Sequence, residues 1–158
     1  MPDGPRAQSA SPRQSKADSP RPAPRRIIGG AYWIAVPRIV DSRGALTVFE
    51  GGQLPFDLRR MFFIEAGPGA VRGEHASGTE ELLVAITGGV TCELDTGADR
   101  ITLRLVPGSG EGLWLRPGVW LRLRDFAPGT VLAVGASLSY ADTRHFDTPQ
   151  PSLIEEPT

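Results

Sequence analysis

The residue types with the greatest chemical reach lie in one short stretch, Arg72-Gly73-Glu74-His75-Ala76-Ser77, followed by Glu81 and then Gly88. Along an extended strand successive side chains alternate between faces, so His75 and Ser77 share one face and Glu74 points to the other. Histidine changes protonation near neutral pH, which makes His75 the candidate acid/base. Arg72 and Glu81 are the groups expected to orient it. A zinc or iron site needs three or four N, O or S ligands; this stretch offers two, His75 and Glu81, so no metal is expected. Tyr140 is a further candidate acid. The other histidine, His145, sits in the polar segment Asp142-Thr143-Arg144-His145 and reads as solvated.

Those side chains need a scaffold that holds them inward, and the chain has the pattern of one. From Ile27 onward, short apolar runs alternate with Gly, Pro, Asp and Ser, the pattern of successive strands and turns. Strands are predicted over residues 31–36, 44–50, 59–65, 81–87, 90–95, 100–105, 112–115, 120–125 and 131–137, with almost no helix. Thr87-Gly88-Gly89-Val90 is a hairpin signal, because glycine supplies the positive φ angles of a tight turn. Thr96-Gly97-Ala98-Asp99 and Arg116-Pro117-Gly118 are two further turns, the second with Pro fixing φ at its first corner. Many short strands at near-regular spacing indicate an all-β sandwich or barrel. Trp33, Trp114 and Trp120 are expected to fill the core or a subunit interface rather than stack a base.

The 158 residues suffice for one domain. Residues 1–26 are rich in Pro, Ser, Ala and Arg and lack the large apolar side chains that offset the entropy of ordering, so they read as a disordered tail. The domain is expected over 27–148 and a flexible C-terminal tail over 149–158. A net charge of −1 offers no basic face, so nucleic acid is not an expected partner. No apolar run is long enough to span a membrane. The single Cys92 cannot form an internal disulfide and reads as a small buried apolar residue, consistent with a cytoplasmic protein.

Six separated patches carry a resemblance. Asp41-Ser42-Arg43-Gly44, Leu54-Pro55-Phe56-Asp57, Arg60-Met61-Phe62-Phe63-Ile64, Arg72-Gly73-Glu74-His75-Ala76, Gly112-Leu113-Trp114, and Val119-Trp120 through Asp125-Phe126 occur in the order and near the spacing of the nucleotide-sugar 3,4-ketoisomerases. The whole chain after about Ile39 resembles that family, including the segment from Ala136-Ser137 to Tyr140. The resemblance implies a cupin of the RmlC-like jelly-roll kind, without metal or cofactor, working as a homodimer that exchanges an N-terminal strand. Its substrate would be a dTDP-4-keto-6-deoxyhexose in deoxysugar or antibiotic biosynthesis, and its reaction would move the carbonyl from C4 to C3 through an enediolate. In that setting His75 would be the acid/base and Arg72 would bind sugar oxygens or stabilise the enediolate. Arg43 and Arg60 would grip the pyrophosphate, for which the guanidinium fork is suited.

The chain also departs from the pattern. Metal-binding cupins carry H-x-H, then Glu, then Gly, and a later histidine; here Ser77 and Leu121 stand at two of the histidine positions. The ketoisomerases carry R-G-x-H-A-H, so Ser77 also replaces a principal acid/base, and Phe63, Leu82 and Leu121 stand where Tyr, Gln and His are usual. All four positions are expected to face the barrel interior, which would make the pocket drier. Three readings follow: a ketoisomerase in which His75 handles both protons, a repurposed enzyme acting on a hydrophobic intermediate, and a non-catalytic binding module.

Overall fold

In the computed structural model residues 22–158 are described, and all strand pairing among them is antiparallel. The strands are β1 (Arg25–Ile28), β2 (Ala31–Ala35), β3 (Arg38–Asp41), β4 (Gly44–Thr47), β5 (Arg60–Ala66), β6 (Arg72–Ser77), β7 (Glu81–Thr87), β8 (Val90–Asp95), β9 (Arg100–Leu105), β10 (Glu111–Leu115), β11 (Trp120–Arg124), β12 (Thr130–Ala136) and β13 (His145–Phe146). A six-stranded sheet has the order β1-β2-β10-β7-β12-β5, and a five-stranded sheet has the order β13-β6-β11-β8-β9. β3 and β4 form a separate two-stranded hairpin. The helical content is a single 3-10 turn at Pro151–Leu153 among the described residues.

The alternation of each strand decides what fills the space between the sheets. Leu83 and Ala85 of β7, Leu94 and Cys92 of β8, Leu113 and Leu115 of β10, Leu121 and Leu123 of β11 and Leu132 and Val134 of β12 form the main core. Cys92 is fully buried there and its thiol is pushed up to about 12, mainly by desolvation, which makes it the inert apolar residue expected. The larger sheet is covered on its outer face as well. Tyr32, Ile34, Leu82, Val84 and Trp114 pack there beneath Phe49, Leu54 and Phe56. Trp114 is therefore core, as expected, while Trp33 and Trp120 are partly exposed.

Three predicted strands, β7, β8 and β9, have the expected bounds, and the turns at Gly88-Gly89, Thr96–Asp99 and Pro117-Gly118 connect the strands as anticipated. Four strands escaped the apolar pattern. β6 and β13 are poor in large apolar residues and are extended because β11 and β6 provide ladders for them. β3 is exposed along its length, and β1 begins at Arg25, inside the expected tail; residues 1–21 of that tail lie outside the described residues. Arg25 is bound to Glu111 at 2.8 Å.

The expected flexible segment 149–158 is instead fastened to one end of the barrel. The Gln150 N–H donates to the Gly118 carbonyl at 2.9 Å, Ile154 packs on the main core, and Arg116 Nε donates to the Glu155 carbonyl at 3.0 Å. The Tyr32 hydroxyl donates to Glu156. Gly118 makes this docking possible: its φ is +94°, and a Cβ there would stand 2.4 Å from the Gln150 carbonyl oxygen.

Candidate active site at the barrel mouth

His75 reaches the interior through a defect in its strand. Leu121 of β11 pairs with His75, Arg122 with Gly73 and Leu123 with Arg72, so Glu74 is an extra residue with no partner on β11. Such a bulge shifts the alternation by one place. Leu121 and Leu123 both face the core, so His75 and Arg72, three residues apart, emerge on that same face. Strict alternation would have put them on opposite sides. Gly73 has φ +79° and Glu74 φ +61°, and a Cβ on Gly73 would meet the Leu121 carbonyl oxygen at 2.6 Å. Glu74 faces outward as expected, where its charge acts on Arg122.

The bulge also orients the imidazole. His75 Nδ1 lies 2.9 Å from the Gly73 carbonyl oxygen. A carbonyl only accepts, so Nδ1 carries the proton and Nε2 is the free basic nitrogen. Orientation thus comes from the strand's own backbone, whereas Arg72 and Glu81 had been expected to supply it. Glu81 is the first residue of β7 and feels the charge of His75. Desolvation pushes the Glu81 carboxyl up, and a hydrogen bond from Ser77 and the charges of His75 and Arg60 pull in the opposite direction. His75, Ser77, Glu81, Leu115 and Leu121 surround a void of only about 10 Å³, room for about one water molecule.

The remaining groups stand outside that void, where the edge strands β5 and β13 end the two sheets. Arg60, first residue of β5, places its guanidinium carbon 5.1 Å from the Phe62 ring centre and 5.5 Å from that of Tyr140. Its Nε is buried without a hydrogen-bond partner, and Arg60 and Arg72 form no ion pair among the described residues. Tyr140 is largely exposed and lies 5.8 Å from the ring of His145. The His145 ring in turn meets His75 edge to face, with centroids 4.9 Å apart.

Four predicted site residues, His75, Glu81, Arg60 and Tyr140, are therefore brought to one end of the barrel; Arg72 shares the face of His75 but lies at the exposed start of β6, and Arg43 is elsewhere. It sits at the tip of the β3–β4 hairpin, 89% exposed and bound to Asp41 at 2.6 Å. The residue that sequence reasoning missed is His145. It is exposed, yet it is the cross-strand neighbour of Ser77, and its two-residue strand gives no periodic signal. The predicted drying of the interior is also half as extensive as expected. Ser77 and Leu121 do face the void. Phe63 is 63% exposed, because Arg60, Phe62 and Ile64 take the inward places on β5, and Leu82 belongs to the core on the outer face of the larger sheet.

Comparison with known proteins agrees with the fold. Among solved structures, a double mutant of the QdtA 3,4-ketoisomerase from Thermoanaerobacterium thermosaccharolyticum, in complex with TDP, is 30% identical, covering 75% of this chain and 88% of that one with a TM-score of 0.68. The WlaRB TDP-quinovose 3,4-ketoisomerase from Campylobacter jejuni is 26% identical over 77% of this chain and 95% of its own, with a TM-score of 0.70. The RmlC 3,5-epimerase from Legionella pneumophila, 14% identical over 72% of this chain and 69% of its own with a TM-score of 0.63, shows the shared cupin fold. No match is found among curated proteins. The family model described as WxcM-like, C-terminal matches residues 30–148, and the chain belongs to that family.

Proposed function

We propose that this protein is a sugar-nucleotide 3,4-ketoisomerase that moves a carbonyl between C4 and C3 of a dTDP-4-keto-6-deoxyhexose in deoxysugar biosynthesis. The observation that carries the proposal is His75: its Nδ1 proton is committed to Gly73, its Nε2 is free, and an arginine with an unpartnered buried nitrogen stands at the same mouth. The enzymes similar to this chain perform that class of reaction, and one of them is seen with TDP.

The chemistry requires only proton transfers. His75 Nε2 removes the C3 proton, the bond electrons form C3=C4, and the C4 carbonyl oxygen becomes an enolate. Positive charge from Arg72 stabilises that oxygen as charge develops on it. A proton then passes from O3 to O4, the C3 carbonyl forms, and a proton returns to C4. Arg60 supplies an anchor for the pyrophosphate, which a guanidinium can hold in bidentate fashion. Tyr140 and Glu81 border the sugar. The void beside His75 is too small for a hexose, so the sugar ring sits at the mouth.

The working unit is proposed to be a homodimer in the cytoplasm. On the β3–β4 hairpin Ile39, Val40 and Leu46 are each more than half exposed, and a two-stranded hairpin has little stability by itself. Pairing with a second copy would cover these side chains and carry Arg43 to the neighbour, where it could reach a phosphate. The reading of a repurposed apolar pocket is weaker, since Phe63 and Leu82 lie outside the interior. The test is calorimetric titration with dTDP, followed by exchange of the C3 proton of the 4-keto sugar in D2O. Binding and exchange are expected; no binding at millimolar dTDP would sink the proposal.

A further inference from the structure

We infer that His145 is a second catalytic residue of this site, touching the same sugar as His75 and carrying the proton that moves between the substrate oxygens. The inference rests on the ketoisomerase reading and adds a group to it. Three observations on the structure support it.

The first is contact. The two imidazoles are edge to face at 4.9 Å, and the Tyr140 ring is 5.8 Å beyond. A substrate ring at the mouth that lies within reach of His75 Nε2 also lies against His145, because the void behind His75 has no room for it. The second is rigidity. His145 lies on no loose tail: the Gly78 N–H donates to the Arg144 carbonyl at 2.8 Å, and Trp120 Nε1 donates to the Asp147 carbonyl at 3.1 Å. The loop leading to it is fixed by the Thr79–Ser137 hydroxyl pair at 3.0 Å and by Thr143 Oγ1 donating to the Ser139 carbonyl at 2.7 Å. The third is chemical need. Ser77, directly across the ladder from His145, carries a hydroxyl committed toward Glu81 and is no base near neutrality.

The surroundings suit His145 to the task. Desolvation first, then the charges of His75 and Arg60, lower its affinity for a proton and so favour the neutral imidazole, which has one nitrogen to accept and one to donate. The sequence of bonds balances. His75 takes the C3 proton and leaves an enolate on O4; His145 takes the O3 proton and gives one to O4. Charge then resides on O3, the C3=O bond forms, and His75 returns its proton to C4. Both histidines end as they began, and no oxidant or reductant enters.

The division of labour predicts a split that loss of folding or binding would not produce. With a dTDP-4-keto-6-deoxyhexose in D2O, His145→Asn should keep wash-out of the C3 hydrogen within about threefold of the parent while 3-keto product falls by about 100-fold. dTDP affinity should be unchanged. Because the side chain is exposed, free imidazole added to His145→Ala should restore product at least tenfold. If the parent forms product and His145→Asn matches it within twofold, the inference fails and the ketoisomerase reading stands. Equal loss of exchange and product without imidazole rescue would also overturn it, leaving His145 a structural role. A parent that neither binds dTDP nor exchanges the C3 hydrogen would overturn both.

Discussion

The outer face of the five-stranded sheet and the mouth between the two sheets use charge in opposite ways. On the outer face, Glu93 accepts from Arg122 Nε at 2.5 Å and from Arg124 Nε at 2.6 Å, Arg100 binds Asp95 at 2.7 Å, and Arg104 donates to Thr91 and to the Asp125 carbonyl. A groove of about 440 Å³, lined by Arg100, Arg122 and Trp120, opens there with both its guanidiniums engaged. At the inner mouth the void is far smaller, about 10 Å³, but Arg60 has a buried nitrogen without a partner and two histidines touch. The lesson is that cavity size does not mark the site. A desolvated donor without a partner costs stability, and a fold tolerates that where a ligand completes it.

The comparison can be broken most decisively at His75. His75→Asn should lower C3 exchange by at least about 100-fold, with dTDP affinity within twofold in calorimetry; undiminished exchange would remove His75 from the chemistry. Next, Arg60→Gln should weaken dTDP at least tenfold, since a hydrogen bond to a charged group is worth about 1.5–3 kcal/mol. Arg122→Gln, its counterpart on the outer face, should leave dTDP affinity unchanged. Equal weakening by both would erase the distinction between the outer face and the mouth.

A smaller effect is expected where the backbone sets the inner face. Gly73→Ala should cost about 2 kcal/mol in urea unfolding, because of its positive φ and the carbonyl 2.6 Å from the new Cβ. It should also lower exchange by turning His75, although Ala has no effect on its chemistry. The smallest effect belongs to Glu93, whose carboxyl the two arginines hold down at about 2 against an ordinary 4.5. A carboxylate with a lowered folded-state pKa stabilises above its unfolded value and loses that contribution as pH falls toward 2. Glu93→Gln should thus be less stable than the parent at pH 7, by about 0.2–1 kcal/mol, with the gap narrowing below about pH 4.5 and closing only as pH falls toward 2 in urea midpoints. Catalysis should not change.

Much of this architecture was legible because its signals are local. Alternation and glycine turns marked β7, β8 and β9 at their true bounds, and the histidine between an arginine and a glutamate marked the candidate site. β13 and the C-terminal strap were not legible, since they have no periodic apolar pattern and owe their order to a ladder, a core contact and hydrogen bonds made to distant residues. The same holds for the faces of Phe63 and Leu82: the sequence states that they are apolar, and only packing against two separate cores decides which way each points.

What the sequence by itself determined is the set of strands with strong alternation and the choice of His75 as the candidate acid/base, because each depends on residue type and short-range spacing. Tertiary structure alone decided that a bulge turns Arg72 and His75 to one face, that Arg43 stays apart on its hairpin, and that His145 meets His75 across 70 residues of chain. Those outcomes are fixed by register between strands distant in sequence, and no local pattern of side chains encodes that register.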